Sequence, residues 1–306
     1  MRVLVVARCK KGKYAPFITE QVDAIQKQGI DFQFFGVDGK GILGYLRQMP
    51  KLKKAIREFR PDLIHAHYGL CGLFANCQRR IPVVTTYHGS DINDSSIRLL
   101  SKISILSSRY NIFVSRKNIE MARPVKNYSL IPCGINLDDY PMMDRLEARE
   151  RIGLDLSGKY VLFAGAYDNS VKNADLAKAA IALVSEAKLL ELKGFTRSQV
   201  AILMQAVDVL LMTSRTEGSP QVIKEAMVCG CPIVSVDVGD VKERISGVDG
   251  CFVVASNAQA IAEALRTVFS FEGKTKGRER VEQMGLTSTQ IASAIKQVYH
   301  SILYLR

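Results

Sequence analysis

The 306 residues are 47% apolar and 24% charged, the balance of an ordinary globular chain, and at ~150 residues per domain they amount to about two domains. That balance excludes a disordered chain, a collagen and a coiled coil, and no apolar run reaches the ~18 uncharged residues of a membrane-spanning helix. The net charge of +12 sits almost wholly in the first half: residues 1–140 hold 22 Lys and Arg against 11 Asp and Glu, and residues 141–306 hold 20 against 19. Such asymmetry points to an anionic partner of the first half (nucleic acid, acidic lipid or a phosphorylated substrate) or to a solvated basic surface.

The opening, MRVLVVARCKKGKY, has one early Arg, a short apolar stretch and then a cluster of Lys. It is too short and wrongly flanked for a signal peptide and reads as a first β-strand, so a cytoplasmic protein is expected. Strands are predicted at Arg2–Ala7, Phe32–Val37, Leu63–His67, Val83–Tyr87, Asn111–Val114 and Tyr128–Pro132, then at Tyr160–Ala164, Leu189–Leu192, Val209–Thr213, Pro232–Val236 and Cys251–Val254. Most are continuous apolar runs, as expected of strands covered on both faces. Helical patterns between them, without hairpin dipeptides, indicate parallel βαβ units. The fold class expected is α/β, with two doubly wound domains; a barrel of eight units fits the length but would cycle more regularly. The seam falls within Pro132–Asp144, which is rich in turn residues and has no period. This gives domains at 1–140 and 141–287, followed by a closing helix in 288–306 whose Ile291, Ile295, Val298, Ile302 and Leu305 recur at helical spacing.

The seven cysteines are scattered, and Cys229-Gly230-Cys231 lacks the spacing of a zinc site, so free thiols and no metal are expected. His65 and His67 lie two apart on one strand and so share a face; with no third ligand nearby, packing or cleft lining is the better reading. Asp91 is placed either to orient His88 or to cap the next helix. Lys10, Lys11 and Lys13 follow the first strand as a basic loop suited to an anionic ligand, to lipid head groups or only to solvent. Lys51, Lys53, Lys54, Arg57 and Arg60 accompany Leu52, Ala55, Ile56 and Phe59 in a pattern shared by surface-binding helices and ordinary amphipathic ones. No basic patch is interleaved with aromatics, so no nucleic-acid partner is expected.

The richest stretch runs from Met212 to Gly230, MTSRTEGSPQVIKEAMVCG, and opens at the carboxyl end of the strand DVLLM, where open α/β sheets bind ligands. Ser219 suits an N-cap, Pro220 the first helical position and Gly230 the left-handed stop. Glu217 then lies just outside a helix N-terminus, which attracts anions such as a nucleotide phosphate, and Glu225 lies mid-helix. Along a continuous helix the two carboxylates would be ~12 Å apart, too far for one acid/base pair but suited to two ends of an extended ligand. Helix-dipole preference for Glu217 and simple solvation of Glu225 account for the same pattern.

Glu217 and Glu225, seven residues apart within TEGSP…KEAM…GCPIV, resemble the E-x7-E signature of the retaining "group 1" (family 4-like) glycosyltransferases with the two-Rossmann GT-B fold, which include sucrose and glycogen synthases. Ordered blocks extend the resemblance over most of the chain: DLIHAHYG (62–69), VTTYHGSD (84–91), FVS (113–115), LIPCGIN (130–136) and VLFAG (161–165) followed by Lys172. The resemblance implies a metal-independent, cofactor-free hexosyltransferase taking a nucleotide-diphosphate sugar donor and a sugar, lipid-linked or polysaccharide acceptor. The basic first domain suggests a peripheral contact with an anionic membrane, at its cytoplasmic face. It also implies an N-terminal acceptor-side domain and a C-terminal donor domain that face each other across a closing cleft. Carried over by position, Glu225 takes the ribose hydroxyls, and Glu217 the hydroxyls of the transferred sugar. The N–H groups of Gly218 and Ser219 line the sugar and phosphates. Gly165 belongs to the phosphate region, Lys172 neutralises the departing diphosphate, and His88 faces the donor sugar.

The sequence departs from the family pattern at Ala166, where an Arg is usual, and Arg215 is a candidate to replace it. Cys133 stands in place of the usual Asn, and the C-terminal domain looks trimmed after Lys172. Two other readings keep the fold: a sugar-nucleotide epimerase or phosphorylase, and a non-catalytic sugar-nucleotide-binding subunit of a polysaccharide assembly complex.

Overall fold

The computed structural model describes residues 1–39, 41–124, 126–184 and 186–304, apart from the side chain of Ile42. All eleven expected strands form: β1 (Arg2–Arg8), β2 (Asp31–Val37), β3 (Leu63–His67), β4 (Val83–Tyr87), β5 (Tyr110–Phe113), β6 (Tyr128–Leu130), β7 (Lys159–Phe163), β8 (Ala187–Glu191), β9 (Val209–Met212), β10 (Ile233–Val236) and β11 (Cys251–Val254). They make two fully parallel sheets, ordered β2-β1-β3-β4-β5-β6 and β11-β10-β9-β7-β8, each doubly wound. In each sheet the order reverses once, between β1 and β3 and between β7 and β9. The carboxyl ends at those two reversals are where such sheets open a crevice for a ligand.

The first unit comprises Met1–Gly134 and the described residues from Ser288 onward; the second is Ile135–Thr287. The division thus comes earlier than the expected 140/141 seam, and the closing helix is part of the first unit. The reason is local. Ile135 donates its N–H to Leu286 O, Asn136 caps the short turn Leu137–Asp139, and the Tyr140 ring is buried in the second core. A Cβ on Gly134 would stand 2.8 Å from Ser288 Cα, so the two stretches of the first unit meet where only glycine fits. The Ser288–Leu303 helix buries Ile291, Ile295, Val298 and Tyr299 against Val3, Leu63, Val84 and Ile112. Leu305, expected in its apolar stripe, lies outside the described residues.

Strands β3 and β4 are buried along their whole length, and the polar side chains they carry, His65, His67, Thr85 and Thr86, are buried with them. The Met49–Phe59 helix spends its apolar face on the core, with Leu52 and Phe59 buried and its lysines in solvent, so it is an ordinary amphipathic helix. All seven cysteines are free; burial pushes the thiols of Cys71 and Cys229 up to about 12, which leaves them unreactive. No helix among the described residues is long and apolar enough to cross a membrane.

Candidate functional site

At the reversal of the second sheet, two loops are sewn together by backbone. After β7 the chain passes Gly165, turns at Ser170–Lys172 under the side chain of Asn169, and enters the Ala174–Ala182 helix. After β9, Thr213 Oγ1 donates to Lys172 O (2.9 Å) and Asn173 O (3.0 Å), and the Arg215 N–H donates to Val171 O (2.8 Å). This stitch fixes the main chain of Lys172 beside the loop that carries Glu217. Their side chains meet at 2.6 Å, Nζ to Oε1, with only 21% and 17% of each exposed. A Cβ on Gly165 would lie 2.7 Å from Lys172 Cγ, so the bare backbone at 165 is the floor over which the lysine runs.

Arg215 is exposed and donates to Asn173 Oδ1 at 2.9 Å, which sets a second cation on the same pair of loops. Gly218 is backed by the loop after β10: Gly239, at φ +58, brings its Cα so close that a Cβ would sit 2.7 Å from Gly218 O and 3.2 Å from Glu217 Cβ. Gly239 was not singled out in the sequence, and only its place one loop beyond β10 could have suggested it.

The helix starts later than expected. It spans Gln221–Val228, Pro220 occupies the cap position with ψ 122°, and no side chain caps it. Ser219 is therefore not an N-cap; its buried hydroxyl has no hydrogen-bond partner among the described residues. The continuous helix behind the ~12 Å separation does not exist between Glu217 and Gln221, because Gly218, Ser219 and the extended Pro220 prolong the loop. Glu225 is on the helix as expected, and it accepts a hydrogen bond from the phenol of Tyr140, whose pKa rises from burial first and from the charge of Glu225 second. Lys224, next to it, is fully buried with Nζ 2.9 Å from Gln221 Oε1; a helical Lys between Ile223 and Glu225 gives no sequence signal of burial.

In the first unit, β3 and β4 assemble a column of histidines. The His65 and His67 rings stack at 4.5 Å, and His67 and His88 at 5.3 Å. His65 is fastened by Tyr299 (2.5 Å) and Thr86 (2.8 Å), and His67 Nδ1 lies 3.0 Å from His88 Nε2. Burial lowers His65 to about 3 and His67 well below its usual value, so both rings are neutral. Three of their four nitrogens are engaged, by Tyr299, Thr86 and His88, while His67 Nε2 is buried with no hydrogen-bond partner among the described residues. The described residues hold no group of three or more His, Cys, Asp or Glu arranged for a metal. His88 ends β4 beside the Phe17 and Tyr68 rings (both 4.8 Å) and the thiol of Cys133 (3.7 Å). Asp91 accepts from the N–H groups of His88, Gly89 and Gly69, so it pins the turn that carries His88, and the helix that follows is capped by Asp94.

Two doubly wound parallel domains of this kind constitute the GT-B architecture. The family "Glycosyltransferase Family 4" matches residues 2–139, and "Glycosyl transferases group 1" matches residues 161–270, so that between them they take in most of the chain. Among solved structures, the chain is similar to the sucrose-phosphate synthase of Thermosynechococcus elongatus (TM-score 0.86, 17% identity, covering 100% of this chain and 99% of the other). It is also similar to Anabaena HepE in complex with UDP (TM-score 0.76, 18% identity, 98% and 100%). Among curated proteins, it is 27% identical over 239 residues (68% of this chain, 61% of the other) to a Bacillus subtilis (strain 168) protein named provisionally as teichuronic acid biosynthesis glycosyltransferase TuaC. It is 24% identical over 298 residues (83% and 78%) to the N-acetyl-alpha-D-glucosaminyl L-malate synthase of Bacillus anthracis. The chain thus spans about three fifths of the length of the first of these relatives. It belongs to the group 1, family 4 glycosyltransferases.

Proposed function

We propose that the chain is a retaining hexosyltransferase that takes its sugar from a nucleotide-diphosphate donor held by the second unit. The observation that carries this reading is the Lys172–Glu217 pair, held at 2.6 Å where the second sheet reverses. A cation and a carboxylate side by side suit the two ends of a breaking glycosyl–phosphate bond: Lys172, with Arg215, meets the charge on the departing diphosphate, and Glu217 meets the hydroxyls of the transferred sugar. The N–H groups of Gly218 and Ser219 line the phosphates, Gly165 gives Lys172 its path, and Glu225, steadied by Tyr140, receives the ribose. His88 contacts the donor sugar on the strength of the family resemblance.

In the reaction, the bond from the anomeric carbon to the diphosphate oxygen breaks with its electron pair on that oxygen. The acceptor hydroxyl bonds to the same face of the anomeric carbon, and its proton passes to the departing phosphate. The cations of the stitch supply the charge for this step, so it is read as metal-independent. UDP is the first donor base to test, because HepE is described in complex with UDP and with UDP-glucose.

The acceptor is read as a sugar, lipid-linked or polysaccharide hydroxyl. A peripheral membrane contact fits the Ser95–Ser107 helix better than the Met49–Phe59 helix. The former leaves Leu99, Ile103 and Leu106 at 69%, 43% and 80% exposure, one ridge flanked by Arg98, Lys102, Arg109 and Arg123.

The test is a thermal-shift screen with UDP, GDP, ADP and their hexose conjugates, followed by transfer assays on Glu217→Gln. A nucleotide bound at a hundredfold excess over Kd stabilises by ~2.7 kcal/mol. Glu225→Ala should lose that shift, and Glu217→Gln should lower transfer by at least ~10²-fold with the melting curve intact. A donor isomerised without any acceptor would instead identify an epimerase, and binding without transfer a non-catalytic subunit.

A further inference from the structure

The reversal of the first sheet holds a cavity of about 630 Å³, lined by Arg8 at the end of β1, by Lys10, Lys13 and Tyr14 of the loop that follows, and from the segments after β3 and β4 by Tyr68 and Asp91. Its basic wall is built rather than incidental. Lys10 and Lys13 exchange both backbone hydrogen bonds (2.9 and 3.0 Å) around a two-residue turn, Lys11-Gly12, in which both residues have positive φ. Residues paired in this way project their side chains to one face, so the turn sets two ammonium groups opposite each other, an arrangement that is unfavourable alone. Arg8, two residues before Lys10, falls on the same face by strand alternation.

None of the three makes an ion pair with any described residue. Asp91, the carboxylate in the wall, is 2% exposed, is turned to three backbone N–H groups and makes no ion pair with the three cations. Tyr45 and Tyr68 add protonated phenols; burial pushes Tyr68 up to about 12.

We propose that this cavity binds an anionic group, phosphate or carboxylate, carried by the acceptor, with Arg8, Lys10 and Lys13 converging on its oxygens and the tyrosines bordering the rest of the molecule. The assignment of the occupant to the acceptor rests on the transferase reading above; the anion site itself does not. The same anionic chemistry reaches the cavity on a soluble phosphorylated sugar or on a lipid-linked phosphate.

The experiment titrates the full chain, with its donor site saturated by UDP, with glucose 6-phosphate and with glucose, at low and at physiological salt. The same titrations follow for Lys10→Ser/Lys13→Ser and for Arg8→Gln. Glucose 6-phosphate should bind and glucose should not, the double variant should weaken binding at least ~10-fold, and raising the salt should weaken the wild type more than the variants. A parallel arm sediments the proteins with phosphatidylglycerol or phosphatidylcholine vesicles. Binding to phosphatidylglycerol lost in the double variant, with no response to the soluble phosphate, would identify the lipid as the source. Anion binding that is equal in the variants and the wild type, in both arms, overturns the proposal. The substituted residues are exposed and make no ion pair, so unchanged melting curves are expected. If UDP fails to bind while the cation variants still lose glucose 6-phosphate, the donor reading fails and the anion site stands.

Discussion

Gly165→Ala tests the donor site without removing a charge. The new Cβ would stand 2.7, 3.0 and 3.2 Å from Cγ, Cδ and Cε of Lys172. Comfortable carbon contacts begin at ~3.5 Å, so the lysine stem must withdraw by roughly 0.8 Å. The main chain at 172 is held by Thr213, so the shift falls on the side chain, whose ammonium sits 2.6 Å from Glu217. A misplacement approaching ~1 Å at a group that meets the leaving phosphates costs up to ~10²-fold in transfer, about 2.7 kcal/mol. Gly165 lies outside the left-handed region, and the clash is with a flexible side chain, so the fold should tolerate the methyl. Calorimetry should find UDP bound at least ~10-fold more weakly, uridine bound as by the wild type, and the melting temperature unchanged. UDP affinity equal to that of the wild type would refute the role given to Lys172; uridine affinity falling in step would mean that the methyl disturbs the whole pocket.

The first unit should lose stability in acid. His65 titrates near 3 when folded and near 6.5 when unfolded, so its contribution is complete above pH 6.5 and is lost as the pH falls; His67 acts in the same direction. Asp91, raised by burial from 3.8 to about 6, acts oppositely: its contribution is complete below 3.8 and is lost as the pH rises through 6. Between pH 4 and 6 Asp91 offsets about one of the two histidines, and the other leaves the unfolded chain with the larger number of bound protons, so stability falls as the pH falls. Urea unfolding should therefore weaken from pH 6 to 4 and weaken less in His65→Gln; a midpoint that rises in acid would contradict this. Gly72→Ala would drive a Cβ into Ser104 Oγ and to 2.6 Å from Thr85 Cγ2, and should cost ~1–3 kcal/mol in urea unfolding; a neutral result would mean that the Gly69–Asn76 and Ser95–Ser107 helices are less tightly packed than described. Leu99→Ser/Leu106→Ser should abolish sedimentation with phosphatidylglycerol vesicles while UDP binding stays, and retention on vesicles would remove that helix as the membrane contact.

The central strands were legible because they are covered on both faces, which favours mostly apolar runs such as those of β1, β7 and β9. The motif residues were legible because they follow strand ends, where the sheet order reverses. What the sequence did not reveal was created by contact between distant loops. Ser219 and Pro220 carry good local cap chemistry, yet the loop from Glu217 is held by Thr213, Val171 and Gly239, and that tertiary hold delays the helix to Gln221. Lys224 is fully buried without any sequence signal of it, and Tyr140 sits within the Pro132–Asp144 seam but donates to Glu225. The Lys51–Arg60 pattern was truly ambiguous, since a membrane face and a core face are written identically; only the burial of Leu52 and Phe59 separates them.

The charge asymmetry now has a structural meaning that the count alone lacked. In the second unit several cations have carboxylate partners: Lys172 with Glu217, Lys193 with Asp168, Lys159 with Glu186, Arg145 and Arg149 with Asp208, and Arg244 with Asp240. On the function proposed above, an entering nucleotide would displace or share the Lys172–Glu217 pair, which suits a ligand that comes and goes once per turnover. In the first unit Arg8, Lys10 and Lys13 converge on one cavity, and Arg79, Arg80 and Lys126 on another of about 810 Å³, with no ion-pair partner among the described residues. Unmatched cations held on one face repel one another and destabilise the fold, so a chain that keeps them leaves its counter-charge to a partner from outside.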